Sequence, residues 1–293
     1  MYKSNKNYVI YALFCFFSLF VIFLGFDPIK TVLTDPKIDL YYTHIPLIPL
    51  ISAFLLFRKR QALFSSPVPA YLLGFLIAIG ALTLHLLFRT KFPASQSSIS
   101  LQVLSAILFW VGIYIAIFGL NSLKQAFFPI GFLLFAVPIP GAIMDKTVLL
   151  IARASVYITG LLFTLIGIPY TREGVEFYLP DFTLVVGPEC AGWRSSIAII
   201  IISLLAGHLF LKKFSNKLIL VSVAIPLIII KNGIRIVLLY LIAYYIDERF
   251  IEGGFLHRSV GYLMFCIVLI LMGLLLWFLE KREARKTPEA LST

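Results

Sequence analysis

Long runs of apolar residues recur along the whole chain, and this pattern restricts the available folds more than any other feature of the sequence. Several runs approach the roughly 20 residues that an α-helix needs to cross a hydrocarbon core of about 30 Å. Of the 293 residues, 60% are hydrophobic and only 13% are charged, which is far from the composition of a soluble domain. The sequence therefore predicts an all-α, polytopic membrane protein with a single integral membrane domain over residues 1–293.

Eight of these runs are predicted to be transmembrane helices. They cover residues 8–26, 45–57, 71–88, 101–120, 126–137, 197–211, 218–245 and 260–279. The second and fifth runs are short and need flanking residues to reach across a bilayer. The first run is too long and too aromatic for a cleaved signal peptide, so we interpret it as a span.

Clusters of basic residues at the ends of the runs predict the orientation, because Lys and Arg concentrate in cytoplasmic loops. If both termini are cytoplasmic, eight spans put the main clusters on that side. These clusters lie at residues 3–6, 58–60, 124, 212–217 and 281–286. Arg89 and Lys91 are the exceptions, in an outer loop. The net charge of +11 is thus accounted for by membrane topology, and we expect no nucleic-acid partner.

The segment 141–168 is harder to assign. Asp145, Lys146 and Arg153 mark its first half, whereas residues 161–168 are apolar. A ninth span here would reverse the orientation of everything downstream and break the charge pattern. We therefore predict an amphipathic or re-entrant helix on the outer face.

A short β-hairpin is predicted next. Residues 175–179 and 182–186 are strand-like and flank the turn signal Pro180-Asp181. Backbone of this kind cannot face lipid, so we expect the hairpin to lie outside the membrane or against protein.

The hairpin leads to Cys190, which stands at the boundary of an apolar run. Pro188 favours an extended approach, and the residues from Ala191 onward read as the first turn of a helix. A thiol at a helix N-terminus has a lowered pKa, and Arg194, four residues on, would share its helical face and add positive charge. The alternative is that Cys190 is a small buried residue. The other two cysteines fall inside apolar runs, and three cysteines do not indicate a disulfide framework.

Charged residues also interrupt the apolar run 218–245. Arg235 lies seventeen residues after its start, a rise of roughly 26 Å, which places it near the outer boundary. Asn232 shares the face of Arg235 at a spacing of three. The alternative is an arginine that only anchors the helix at the interface. Lys231 points elsewhere and is expected to snorkel or to pair with an acid.

His257 opens the last run on the same predicted side. An interfacial histidine without a chemical function is the alternative, and His44 and His85 also fall near outer ends of spans. At one depth, Cys190, Arg235 and His257 suit acyl transfer. The thiolate attacks a peptide carbonyl, the histidine protonates the leaving amine, and the arginine stabilises the oxyanion. No metal-ligand cluster and no phosphate-binding glycine loop is evident, so we predict no metal and no cofactor.

These motifs resemble the exosortase/archaeosortase family of membrane cysteine transpeptidases. The resemblance is strongest over residues 138–280, and it is carried in order by Cys190-Ala191-Gly192-Trp193-Arg194-Ser195, Asn232-Gly233-Ile234-Arg235 and His257. It implies that Cys190 is the nucleophile, Arg235 the stabilising arginine and His257 the acid/base. Arg194, Asn232 and Glu189 would support them. Ala191 and Trp193 stand where family members often carry Ser and a smaller aliphatic residue, which leaves the subfamily open.

The resemblance also implies a cysteine peptidase/transpeptidase of a prokaryotic plasma (inner) membrane, with its active site on the outer face. Its substrates would be secreted proteins with a C-terminal motif, a transmembrane helix and a basic tail, transferred to a lipid or glycan acceptor or to water. Two other classes stay open: a transporter or flippase with Arg153, Lys231 and Arg235 along its path, and an assembly factor for exported polysaccharide. The scarcity of intramembrane acids and of inverted repeats argues against a transporter.

Overall fold

A computed structural model describes residues 2–35, 41–64, 68–92, 95–180, 183–187, 192–245 and 255–285, with the backbone alone at 2–11, 64 and 255–258. Within these ranges the chain is helical apart from one small sheet and its connections, which confirms the predicted all-α polytopic class. It divides into two compact units, Met1–Met144 and Asp145–Thr293.

Unit 1 is built from helices alone. They are α1 (Tyr2–Thr34), α2 (Leu47–Arg58), α3 (Arg60–Phe64), α4 (Tyr71–Lys91), α5 (Gln96–Gln125) and α6 (Phe127–Phe132), followed by a 3₁₀ helix (Leu133–Ala136). α4 and α5 pack closely because small residues face each other. A Cβ on Gly112 would come within 2.6 Å of the backbone nitrogen of Ala78, and one on Gly74 would collide with Ala116. Such close packing of small residues is how helices associate in a membrane, where lipid is as apolar as the side chains.

The described part of the chain contains seven helices long and apolar enough to span a membrane, one fewer than predicted. They are Ala12–Thr34, Tyr71–Lys91, Gln96–Gln125, Gly141–Leu165, Trp193–Phe210, Phe214–Tyr245 and Ser259–Arg285. The two short predicted spans are not among them. α2 has 12 residues, and the segment Phe127–Ala136 is divided between α6 and the 3₁₀ helix. A core of about 30 Å needs about 20 helical residues, so neither reaches across alone.

The segment predicted to lie on the outer face forms one continuous helix, α7 (Gly141–Leu165), whose 25 residues are enough to span. Asp145, Lys146 and Arg153 did not break it, because all three side chains are exposed on its surface. The prediction excluded a span here in order to keep the charge pattern of eight spans, and two of those eight are too short to cross a membrane.

The small sheet of unit 2 contains the predicted hairpin and one further strand. β1 (Thr171–Glu173), β2 (Glu176–Tyr178) and β3 (Thr183–Val185) are antiparallel neighbours in that order. β2 and β3 are the predicted pair, and the predicted turn residue Asp181 lies outside the described residues. β1 was missed because Gly174, at a φ of 59°, allows a turn so tight that only two residues separate the strands.

One face of the sheet is buried against helices. Phe177 is fully buried, and its ring meets that of Phe163 in α7 at 5.4 Å. Phe163 in turn contacts Tyr240, at 5.2 Å between ring centroids. Leu184 belongs to the same cluster. The sheet thus lies against protein, as the hairpin was expected to do.

The bundle of unit 2 is formed by α8 (Trp193–Phe210), α9 (Phe214–Tyr245) and α10 (Phe255–Arg285), which contact one another. α9 runs antiparallel to the other two. Their shared apolar core includes Ile199, Leu220, Ala224, Ile228, Val268 and Met272. The bundle also contains two groups of polar residues. The Glu283 cluster comprises Lys212, Lys213, Asn216 and Glu283. The Lys231 cluster comprises Gly192, Ser195, Lys231, Asn232 and Arg235.

Candidate active site

The start of α8 is set by Gly192. This residue has a left-handed φ of 63°, and the helix begins at the next residue, Trp193. A side chain here would be strained by the backbone angle, and its Cβ would also collide with Oδ1 of Asn232. The prediction that the first helical turn starts at Ala191 is therefore wrong. The reason is the positive φ, which a helix cannot continue through.

The carbonyl of Gly192 is the most heavily bonded group at this helix start. It accepts hydrogen bonds from Oγ of Ser195 at 2.9 Å, from Oγ of Ser196 at 2.8 Å, and from the backbone nitrogen of Ser196 at 3.0 Å. Both serines thus fold back onto the residue through which the chain enters the helix.

Lys231 of α9 joins this arrangement. Its side chain is only 4% exposed, and its Nζ donates a hydrogen bond to Oγ of Ser195. The expectation that Lys231 snorkels is wrong, because its side chain is buried. Its described partner is a hydroxyl of α8, and the alternative of pairing with an acid stays a prediction, since Glu189 lies outside the described residues. Sequence reasoning missed Ser195 and this bond, although a lysine inside an apolar run was a usable signal.

Asn232 and Gly233 bring α9 close to two other helices. Asn232 is fully buried with its amide oxygen against Gly192. On another side, a Cβ on Gly233 would come within 2.5 Å of Cγ2 of Ile158 in α7. The described position of Asn232 agrees with a supporting role, since it packs on the entrance to α8.

Arg235 lies one helical turn beyond Lys231 and three residues beyond Asn232, as predicted. It is half-buried and lies beside Gly261 of α10, where a Cβ would come within 3.5 Å of its Nε. His257 stands in the first turn of α10, four residues before Gly261, so it lies about 6 Å along the same helical stripe. Its side chain is outside the described residues.

The remaining predicted site residues are only partly described. Cys190 and Glu189 lie in the segment 188–191, which falls outside the described residues. Arg194 is exposed in the first turn of α8. Because Cys190 precedes the helix, the four-residue spacing no longer places the two on one helical face. Their roles stay predictions.

The two rival histidines lie in unit 1, each with contacts of its own. His85 is fully buried, with Nδ1 3.0 Å from the carbonyl of Gln102 and 3.3 Å from Oγ of Ser105. Burial lowers the pKa of His44, against the effect of its backbone hydrogen bond with Phe135. Neither residue belongs to unit 2, which contains Arg235 and His257.

Chemically, the Lys231 cluster favours a negative charge. Two cationic side chains on successive turns of α9 lie beside an amide, a hydroxyl and a helix N-terminus, all of which stabilise an anion. Among the described residues, no group of three or more His, Cys, Asp or Glu side chains could hold a metal ion.

Comparison with known proteins identifies the family of the chain. The family model described as "Transmembrane exosortase (Exosortase_EpsH)" matches residues 37–274, which is well over half of the chain and extends far into the first half, beyond the motifs that suggested it. No curated protein and no solved structure matches. By the extent of the family match, the chain belongs to the transmembrane exosortase family.

Proposed function

We propose that this exosortase-family protein is a membrane-embedded cysteine peptidase/transpeptidase. It cleaves secreted proteins at a C-terminal sorting signal and transfers them to an acceptor or to water. One observation carries the proposal: Asn232 of α9 packs against Gly192 at the entrance to α8, and Arg235, three residues further along α9, packs against Gly261 of α10. Cys190 is two residues from Gly192 in sequence, and His257 is one helical turn from Gly261.

The thiolate of Cys190 attacks the carbonyl carbon of the scissile peptide, which becomes a tetrahedral intermediate with a negative oxygen. Arg235 stabilises this oxyanion with its guanidinium N–H groups. His257 gives its proton to the leaving nitrogen as the C–N bond breaks. The products are a Cys190 thioester and a C-terminal fragment with a free amine.

In the second half of the reaction, His257 takes a proton from the hydroxyl or amine of an acceptor, or from water. The nucleophile then attacks the thioester, and the thiolate leaves. An ester or amide results from an acceptor, and a carboxylate results from water. Both outcomes regenerate the starting protonation states, so the cycle balances without a cofactor.

The proposed location of the active site is the outer side of a prokaryotic plasma membrane, with the C-terminal end of α10 in the cytoplasm. If each of the seven long helices among the described residues spans the membrane, the N-terminus lies on the opposite side, because seven is an odd number. The expectation that both termini are cytoplasmic depended on eight spans. The rise along α9 from Asn216 of the Glu283 cluster to Lys231 is fifteen residues, or about 22 Å. The basic residues around Lys212 and Arg282 favour the cytoplasmic boundary. If they lie there, the Lys231 cluster is in the outer half of the bilayer, where a secreted substrate can reach it.

Substrate trapping tests the proposal. We expect purified Cys190→Ala protein to retain secreted proteins that carry an uncleaved C-terminal hydrophobic helix and basic tail, identified by mass spectrometry. The matched control is Cys266→Ala, which removes an exposed cysteine of α10 and should retain none. The mass of the mature C-terminus then separates transfer from hydrolysis, because an acceptor adds its mass. Equal sets of bound proteins in both variants would contradict the proposal.

A further inference from the structure

Lys231 is a charged residue that the proposed reaction does not use. Its side chain is 4% exposed and lies inside a helix that is long and apolar enough to span a membrane. Removing an ammonium group from water is costly unless partners offset the lost hydration. A role in packing alone would be met by a neutral residue of similar length.

The position of Arg235 strengthens this point. It carries the same charge four residues later on α9, and like charges at this spacing repel each other along a helix. The described contact of the Lys231 ammonium is with a neutral hydroxyl, Oγ of Ser195. Neither Ser195 nor Arg235 carries a negative charge that would neutralise the ammonium group of Lys231.

The bond to Ser195 continues to the main chain. Oγ of Ser195 accepts a hydrogen bond from Nζ of Lys231 and donates one to the carbonyl of Gly192 at 2.9 Å. Asn232, the next residue on α9, packs against the same glycine. α9 therefore holds the entrance to α8 through two consecutive side chains, one acting through a hydrogen-bonded relay and one directly.

We infer that Lys231 is a positioning residue for the nucleophile, acting through Ser195 on the carbonyl of Gly192, two residues after Cys190. The relay fixes the direction in which the chain enters α8. The charge of Lys231 adds to that of Arg235 in favouring an anion there. This inference rests on the proposed function, and it assigns to Lys231 no contact with substrate.

The test measures alkylation of Cys190 by a membrane-impermeant maleimide, in membrane vesicles of a Cys15→Ser/Cys266→Ser background. We expect Lys231→Met and Ser195→Ala each to lower the rate constant about tenfold, the equivalent of one hydrogen bond to a charged group. The double variant should be no slower than Lys231→Met alone, because both changes break the same relay and only the loss of Lys231 removes a charge. Ser195→Thr, which keeps the hydroxyl, and Lys231→Gln, which keeps a donor, should recover part of the rate.

Lys217→Met is the matched control, since it removes a lysine from the distant part of the same helix. We expect it to change the rate less than twofold and to combine additively with Ser195→Ala. Unchanged rates in the two single variants, or effects that multiply in the double variant, would overturn the inference. The proposed function is judged separately: if Cys190→Ala still processes substrate, that function fails, while the coupling between Lys231 and Ser195 is still decided by the alkylation rates.

Discussion

The two polar clusters of the α8–α10 bundle differ in the sign of their charged groups and in the partners of those groups. In the Glu283 cluster, a carboxylate that is 7% exposed accepts three hydrogen bonds. They come from the backbone nitrogens of Lys212 and Lys213, at 2.8 and 3.0 Å, and from Nδ2 of Asn216, at 2.8 Å. In the Lys231 cluster, the charged groups are cations, and the described bond of Lys231 goes to a hydroxyl.

The difference separates a structural group from a chemical one. Glu283 binds the backbone of the turn between α8 and α9, so its charge is already neutralised by oriented donors and the cluster closes the bundle. The Lys231 cluster surrounds the entrance to a helix with positive charge. That arrangement suits an anion that forms during a reaction. Changes at the Glu283 cluster should therefore affect stability, and changes at the Lys231 cluster should affect activity.

Within the two clusters, the largest expected effect is at Arg235. Arg235→Ala should lower processing of a substrate about a thousandfold, which is the loss associated with a missing oxyanion donor. Arg235→Lys should fail nearly as badly, because an ammonium group cannot reproduce the planar fork of a guanidinium. The measurement is the ratio of cleaved to uncleaved substrate at equal enzyme levels. Full activity of the lysine variant would reduce Arg235 to a membrane anchor.

His257→Ala should come next, with a loss of about a hundredfold, because leaving-group protonation is removed while the membrane fold persists. His44→Ala is the matched control and should stay near wild type, because burial lowers the pKa of His44 and so disfavours the protonated form that a general acid needs. Processing and protein level are measured together in membranes. An essential His85 or His44, with a dispensable His257, would show that the acid/base assignment is wrong.

Glu283→Ala should lower stability rather than activity. The loss of bonds to a buried carboxylate should lower the free energy of unfolding by about 2–3 kcal/mol, while activity per folded molecule stays unchanged. Glu280→Ala, an exposed acid one turn earlier on α10, controls for charge. Thermal unfolding in detergent reports the stability. A large loss of activity in folded Glu283→Ala protein would erase the distinction between the clusters.

Arg194→Gln should have the smallest effect, at most a few-fold on processing. Its side chain is exposed in the first turn of α8 and would act on an anion through solvent, where charges are strongly screened. Trp193 is unsuitable as a control because it is buried, so Arg89→Gln in the last turn of α4 serves instead. A loss as great as that of Arg235→Lys would mean that Arg194 contacts the reacting group.

The sequence was sufficient to predict what depends on composition and local pattern. The apolar runs, the β2–β3 hairpin and the shared face of Asn232 and Arg235 were all foreseen, because each follows from hydropathy, turn residues or helical spacing. What it could not provide depends on contacts between distant segments. The relay from Lys231 to Ser195 spans 36 residues, and the bonds of Glu283 span about 70.

Two local elements also escaped prediction, for different reasons. α7 was predicted to lie on the outer face because a ninth span would have reversed the orientation of everything downstream. That argument counted two short apolar runs as spans, and the structure shows that neither is long enough. The start of α8 was placed two residues early because a glycine is compatible with both a helical and a left-handed backbone. In the structure Gly192 adopts the left-handed conformation and packs against Asn232.

The most direct test of the account is the processing of substrate by Cys190→Ala and Cys190→Ser at wild-type levels of enzyme, with Cys266→Ala as the control. We predict complete accumulation of uncleaved substrate in both Cys190 variants, since a serine hydroxyl needs a far stronger base than a thiol does. Wild type should yield a substrate-linked thioester that hydroxylamine releases. Normal processing by Cys190→Ala would contradict the nucleophile assignment and, with it, the case for an enzyme.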